Sequence, residues 1–206
     1  MKNRLKQSLF DRIAPIYGLF FNRQKKRFTI VIQRAAQELD LTTFKNMLDV
    51  GCGTGALCAV LNDLKIDVTG IDPAEKMLAV ARRRLSHSPV RLIKASVLDG
   101  LPFADKSFDA SITSYVAHGL PAEDRKKLYQ EMSRTTRNKV IIYDYNQNRS
   151  MLTSLIEWLE KGDYFRFIRL AEKELKNCMT QMTECFSDVI VIPVDKRANW
   201  YICTPK

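Results

Sequence analysis

From Lys45 to Asn146, short apolar runs alternate with longer stretches of helical spacing. A chain patterned in this way is expected to form a parallel sheet covered on both faces. NMLDV, KIDVTGID, VRLIKA, FDASITSY and KVIIYDYN read as strands one to five, and GALCAVLNDL, PAEKMLAVARRRL and PAEDRKKLYQEMSRTT as the helices between them. Pro73 and Pro121 stand near two helix starts, where a missing N–H costs nothing. DVIVIPVD and ANWYICT, joined by the polar pair Lys196-Arg197, read as an antiparallel hairpin closing the sheet edge.

At 206 residues and 46% hydrophobic, the chain suits one domain with small appendages. Residues 1–44 read as N-terminal helices with a break near Pro15, 45–146 as a ligand-binding core, 147–186 as a helical lid and 187–206 as the terminal hairpin. The five cysteines are odd in number and form no CxxC, and the two histidines lie far from them in sequence. This argues against a disulfide framework or a metal site and for a reducing compartment. No apolar run has bilayer-spanning length, so a soluble, cytoplasmic protein is expected. The formal charge of +10 is concentrated in residues 1–34, which hold nine Lys/Arg against the single acid Asp11. Such an arm is either a solvated helix face or a contact for phosphates, anionic lipid heads or an acidic substrate.

The stretch MLDVGCGTGALC places Gly51, Gly53 and Gly55 at alternate positions between strand one and the first helix, with Asp49 just ahead. That turn falls at the carboxyl edge of the sheet, where backbone without Cβ atoms meets ligands. A pyrophosphate prefers the spacing GxGxxG and is repelled by an acid at the strand end. A ligand with a positive amino group suits both features better.

LDVGCGTG resembles the first motif of class I S-adenosylmethionine-dependent methyltransferases. The likeness continues through VTGIDPAEKMLAVAR and LPFADKSFDASITSYVAHGLP, which is similar to the small-molecule branch. FDRIAPIYGLF resembles the N-terminal segment of the ubiquinone/menaquinone-biosynthesis type. The resemblance implies a Rossmann-like, seven-stranded, mostly parallel α/β fold with helices on both faces, and S-adenosylmethionine as cofactor. It implies that Gly51, Cys52, Gly53 and Gly55 approach the methionine portion, with Asp49 favouring its ammonium and the Ser114 region alongside. Asp72 would hold both ribose hydroxyls, Pro73 and Met77 would flank adenine, and Tyr17 would lie over the cofactor. Where the family commonly has an acid after strand three, this chain has Ser96 followed by Val97. Ser96 with the Val97 backbone is the expected adenine contact, and Asp99 the alternative. Gly18 follows Tyr17 where the family more often has aspartate.

His118, just beyond strand four, is the candidate general base, since an imidazole titrates near neutrality. A loop or capping role is the alternative. His87 reads as surface. Tyr115, with Tyr17 and Tyr145, offers ring faces to the sulfonium. Phe20, Phe21, Trp158, Tyr164, Phe165 and Phe167 suggest an apolar lid over a small, apolar or aromatic methyl acceptor. Three further readings stay open. The basic arm fits an RNA methyltransferase, although strand four lacks an Asn/Asp-Pro-Pro-aromatic motif. A non-catalytic cofactor-binding protein and a nicotinamide-dependent reductase are the others. The arm also fits peripheral contact with an anionic membrane.

Overall fold

In a computed structural model of the protein, the described residues are 11, 14, 17–146 and 178–206. The expected break at Pro15 and the aromatic residues Trp158, Tyr164, Phe165 and Phe167 lie outside them. The strands are β1 (Asn46–Val50), β2 (Asp67–Asp72), β3 (Arg91–Lys94), β4 (Phe108–Ser114), β5 (Thr136–Tyr145), β6 (Phe186–Asp195) and β7 (Ala198–Pro205). The helices are α1 (Phe21–Ala35), α2 (Ala56–Asp63), α3 (Glu75–Arg84) and α4 (Ala122–Thr135). All seven strands join one sheet in the order β3-β2-β1-β4-β5-β7-β6. The first five pair in parallel, and β7 runs antiparallel between β5 and β6. This is the expected Rossmann-like α/β architecture with its terminal hairpin.

The unbroken apolar runs of β5 and β7 follow from burial on both faces. Ile141, Tyr143, Trp200 and Ile202 join the layer of α1 and α2, while Val140, Ile142, Tyr201 and Cys203 join that of α4 and helical residues 178–185. Every residue from Ala56 to Leu61 of α2 is buried because α1 lies across it. α1 turns Phe21, Val31, Ile32 and Ala35 inward, and Lys25 pairs with Asp63 at 2.7 Å. Phe21 is therefore core, a correction to its expected place in a lid.

Strand β5 starts three residues earlier than the apolar run suggests, since α4 passes into it without a loop. Thr136 pairs with Phe108, its Oγ1 lies 2.7 Å from Ser111 Oγ, and the register then shifts at Asp109. Likewise Phe186 already belongs to β6. From β1 the chain goes one way to β2 and β3 and the other way to β4 and β5, so the topological switch point lies at the ends of β1 and β4. Val50, Asp72, Ser114 and Tyr145 mark that edge. Among the described residues no helix is long and apolar enough to cross a membrane.

Candidate functional site

The glycine turn leaves β1 with Gly51, Gly53 and Gly55 all at positive φ, at 77°, 54° and 79°. The amides of Gly51 and Cys52 both donate to the Ile71 carbonyl, at 2.8 and 2.9 Å, which ties the turn to β2. The three glycines differ in what surrounds them. A Cβ at Gly51 would lie 2.6 Å from Val116 Cγ2, and one at Gly55 would lie 2.8 Å from Leu85 Cδ1. At those two positions the close neighbour is the protein itself. Gly53 alone of the three has no heavy atom within 4 Å of its Cβ direction, so a ligand's closest approach falls there.

Asp72 ends β2 opposite Gly53. Its Oδ2 accepts from the Gly53 amide at 2.9 Å and its Oδ1 from the Ala74 amide at 2.8 Å. Each oxygen keeps acceptor capacity, because a carboxylate has about four lone-pair sites and these bonds use two. Burial pushes the Asp72 carboxyl above its ordinary range; the two amide bonds oppose that shift and the charge of Asp11 adds to it. Asp11 also accepts from the Lys76 amide at 2.9 Å, inside the first turn of α3. Asp11 is thereby held close to the end of β2. Gly18 packs on Val80, Arg84 Nη2 donates to the Gly18 carbonyl at 2.7 Å, and Ala14 joins Ala74, Met77 and Val80 in a small apolar cluster.

Asp49 is 1% exposed and accepts from the Cys58 thiol, with Sγ at 3.1 Å. Burial raises its carboxyl to about 7, against a smaller lowering by the Cys58 bond and a further rise from the charge of Asp72. A carboxyl raised in the folded state binds its proton more tightly there than in the unfolded chain. The stability it contributes is present at low pH and is lost as pH rises toward about 7. A cation placed in the crevice offsets that loss by favouring the ionised form.

At the end of β4, Ser114 Oγ is buried with no hydrogen-bond partner among the described residues. Tyr115 follows at φ 58°, its amide donating to the Tyr143 carbonyl at 2.8 Å. A bulky residue held in the left-handed region is a strained arrangement of the kind that gathers at functional sites. Its hydroxyl accepts from Arg27 Nη2 at 2.7 Å, and Arg27 also pairs with Asp195 at 3.1 Å. Burial raises the Tyr115 phenol strongly, so it stays protonated.

His118 lies next to this tyrosine. Asp144 near the end of β5 engages two of its nitrogens: Oδ1 lies 2.8 Å from Nδ1 and Oδ2 accepts the His118 backbone N–H at 2.9 Å. The Asp144 side chain is 8% exposed and that of His118 35%, so a buried carboxylate orients a partly open imidazole. The rings of Tyr145 and Tyr115 lie edge-on to it at 4.8 and 6.5 Å.

Sequence reasoning missed Asp144, Arg27 and Asp11. The acid inside the apolar strand KVIIYDYN was a legible signal, since a buried charge needs a partner. Nothing local in sequence ties Arg27 to Tyr115, 88 residues away. Of the remaining expected residues, Tyr17 is 41% exposed, Pro73 is exposed, and Met77 is buried at 2%. Ser96 Oγ accepts from the Leu98 amide at 3.2 Å and caps a short 3-10 turn that holds Val97, leaving Asp99 exposed. Cys52 is 8% exposed and lies beside Cys58, under Gly70.

Fold and crevice together define an α/β nucleoside-binding protein with a glycine turn, an acid ending β2 and a buried hydroxyl at β4 that has no hydrogen-bond partner among the described residues. These groups fit S-adenosylmethionine: close backbone at Gly53, spare carboxylate lone pairs at Asp72, and the buried Oγ of Ser114. The family described as "Methyltransferase domain" matches residues 48–143. The chain is 26% identical over 211 residues to an uncharacterised methyltransferase of Alkaliphilus oremlandii (strain OhILAs), covering 96% of each. It is 31% identical over 145 residues to the demethylmenaquinone methyltransferase of Paenarthrobacter aurescens (strain TC1), covering 68% of this chain and 54% of that one. Its backbone is similar to that of the PH0226 protein of Pyrococcus horikoshii OT3, with TM-score 0.71 and 19% identity over 88% of this chain and 91% of that one. The chain is a class I S-adenosylmethionine-dependent methyltransferase.

Proposed function

We propose that the enzyme methylates a small, apolar or aromatic acceptor that carries an ionisable hydroxyl. The observation behind this reading is the His118–Asp144 pair at the carboxyl edge of the sheet, ringed by tyrosines. Bound S-adenosylmethionine supplies a methyl group on a positively charged sulfur, so the protein's task is chiefly alignment and exclusion of water. With Nδ1–H donating to Asp144, His118 keeps Nε2 as an acceptor, and that nitrogen takes the proton of the acceptor's hydroxyl as oxygen attacks the methyl group. Asp144 is a positioning residue that fixes the tautomer and steadies the imidazolium. Tyr115, protonated and held by Arg27, walls the pocket with its ring and does not act as a base.

On the cofactor side, Asp72 receives the ribose hydroxyls, Gly53 and Cys52 face the methionine portion between Gly51 and Gly55, and Ser114 Oγ finds its partner there. Asp49 acts on the ammonium through its field, since its carboxylate is enclosed. Ser96 and Val97 border adenine together with Pro73 and Met77, and Tyr17 covers the outer side. A relative named for demethylmenaquinone supports a lipophilic acceptor of this kind.

Transfer of a labelled methyl group to a panel of quinols, phenols, amines, thiols and RNA tests the reading. Label is expected in a hydroxylated aromatic compound. Label confined to amines, thiols or RNA, or to none of the panel, contradicts it.

A further inference from the structure

The outward face of α1 carries a second surface. Phe20, Arg23, Arg27, Ile30 and Arg34 recur at steps of three and four residues, which places them on one stripe of the helix. This stripe flanks the buried one, and Arg23, Arg27, Ile30 and Arg34, with Lys26 and Val31, border a groove of about 390 Å³ against Asp195 and Lys196 of the β6–β7 turn. Five cations line the groove against one acid, and that acid is already paired with Arg27. Arg23, Lys26 and Lys196 have no ion-pair partner among the described residues. Bare apolar groups accompany the cations: Ile30, 39% exposed, lies among them, and Leu19 and Phe20, 79% and 48% exposed, stand at the start of the helix.

We propose that this face docks on an anionic lipid bilayer. Cations with exposed aliphatic and aromatic side chains on one helical face are the composition of an interfacial helix, whose charges meet lipid phosphates while the apolar groups enter the acyl boundary. Nucleic acid would use the same cations. It has no use for Leu19 and Ile30, which cannot stack on bases. The geometry also gives the docking a direction. β6 runs parallel to β5, so the Asp195–Lys196 turn lies at the same sheet edge as Tyr145 and His118. Docking there turns the mouth of the acceptor site toward the membrane, which gives a lipophilic acceptor a route that avoids water.

Sedimentation of the full chain with vesicles tests this independently of methyl transfer. Binding to vesicles of phosphatidylcholine with phosphatidylglycerol is expected, with release by salt, and little binding to phosphatidylcholine alone. Arg23→Glu with Lys26→Glu weakens binding by at least about tenfold, given the usual worth of each basic residue at an anionic surface. Leu19→Ser with Phe20→Ser weakens binding and leaves the salt dependence intact. Both double variants retain affinity for S-adenosylhomocysteine, which reports that they are folded. The proposal fails if neutral vesicles bind equally, if no vesicle binds, or if folded variants bind as wild type does. It also fails if single-stranded RNA binds more tightly than vesicles and ignores Leu19→Ser/Phe20→Ser.

Discussion

Replacing His118 with alanine lowers kcat by about 10²- to 10⁴-fold, the usual worth of a positioned general base, and leaves affinity for S-adenosylhomocysteine unchanged. The imidazole lies beyond the end of β4, with Asp144, Tyr115 and Tyr145 around it and Arg27 behind Tyr115. No described bond links it to the glycine turn. Asp144→Asn separates orientation from proton transfer. An asparagine that presents its amide to Nδ1 favours the tautomer with the proton on Nε2, so kcat falls while KM for the acceptor is kept. The double variant is then no slower than His118→Ala alone, because Asp144 acts only through the ring. Activity of the single variants is measured by labelled-methyl transfer across pH. If His118→Ala keeps the wild-type rate, proton removal is not part of the reaction and the acceptor does not need an ionisable hydroxyl.

Asp72→Ala has its effect on the other side. Hydrogen bonds to a charged acceptor contribute about 1.5–3 kcal/mol each, so losing two ribose contacts weakens cofactor binding by roughly 10²-fold or more. The change also removes the acceptor of the Gly53 and Ala74 amides, at 2.9 and 2.8 Å. The turn at Gly53 thus loses its tether as well as its ligand contact. Asp72→Asn separates the two losses, since one carbonyl oxygen accepts a single amide in place while the second position becomes a donor. Titration calorimetry with S-adenosylhomocysteine checks both variants against wild type. Wild-type affinity in Asp72→Ala would remove the ribose role.

The sheet was legible because period-2 and period-3.6 patterns are written locally. β1 falls on NMLDV residue for residue, and β2, β3 and β4 end within one residue of their apolar runs. Where helix passes into strand without a turn, as at Thr135–Thr136, no residue marks the junction and the boundary shifts by three. Phe20 and Phe21 show the same limit. Neighbours in sequence, they point to opposite surroundings, and only the seating of α1 on α2 decides which one is core. In the site, Asp72 and the glycines announce themselves through spacing. The contrast between open Gly53 and crowded Gly51 and Gly55 depends on Val116 and Leu85, which arrive from later elements. The Asp144–His118 bond spans 26 residues and joins two strand ends that are adjacent only because β4 and β5 pair in parallel.

Amide chemical-shift mapping with S-adenosylhomocysteine tests the central assignment most directly. The account predicts that the largest changes fall at Gly53, at Asp72 to Ala74, at Ser96 and Val97, and at Ser114. A spectrum that does not respond, or changes gathered instead around Arg23, Arg34 and Lys196, would contradict it.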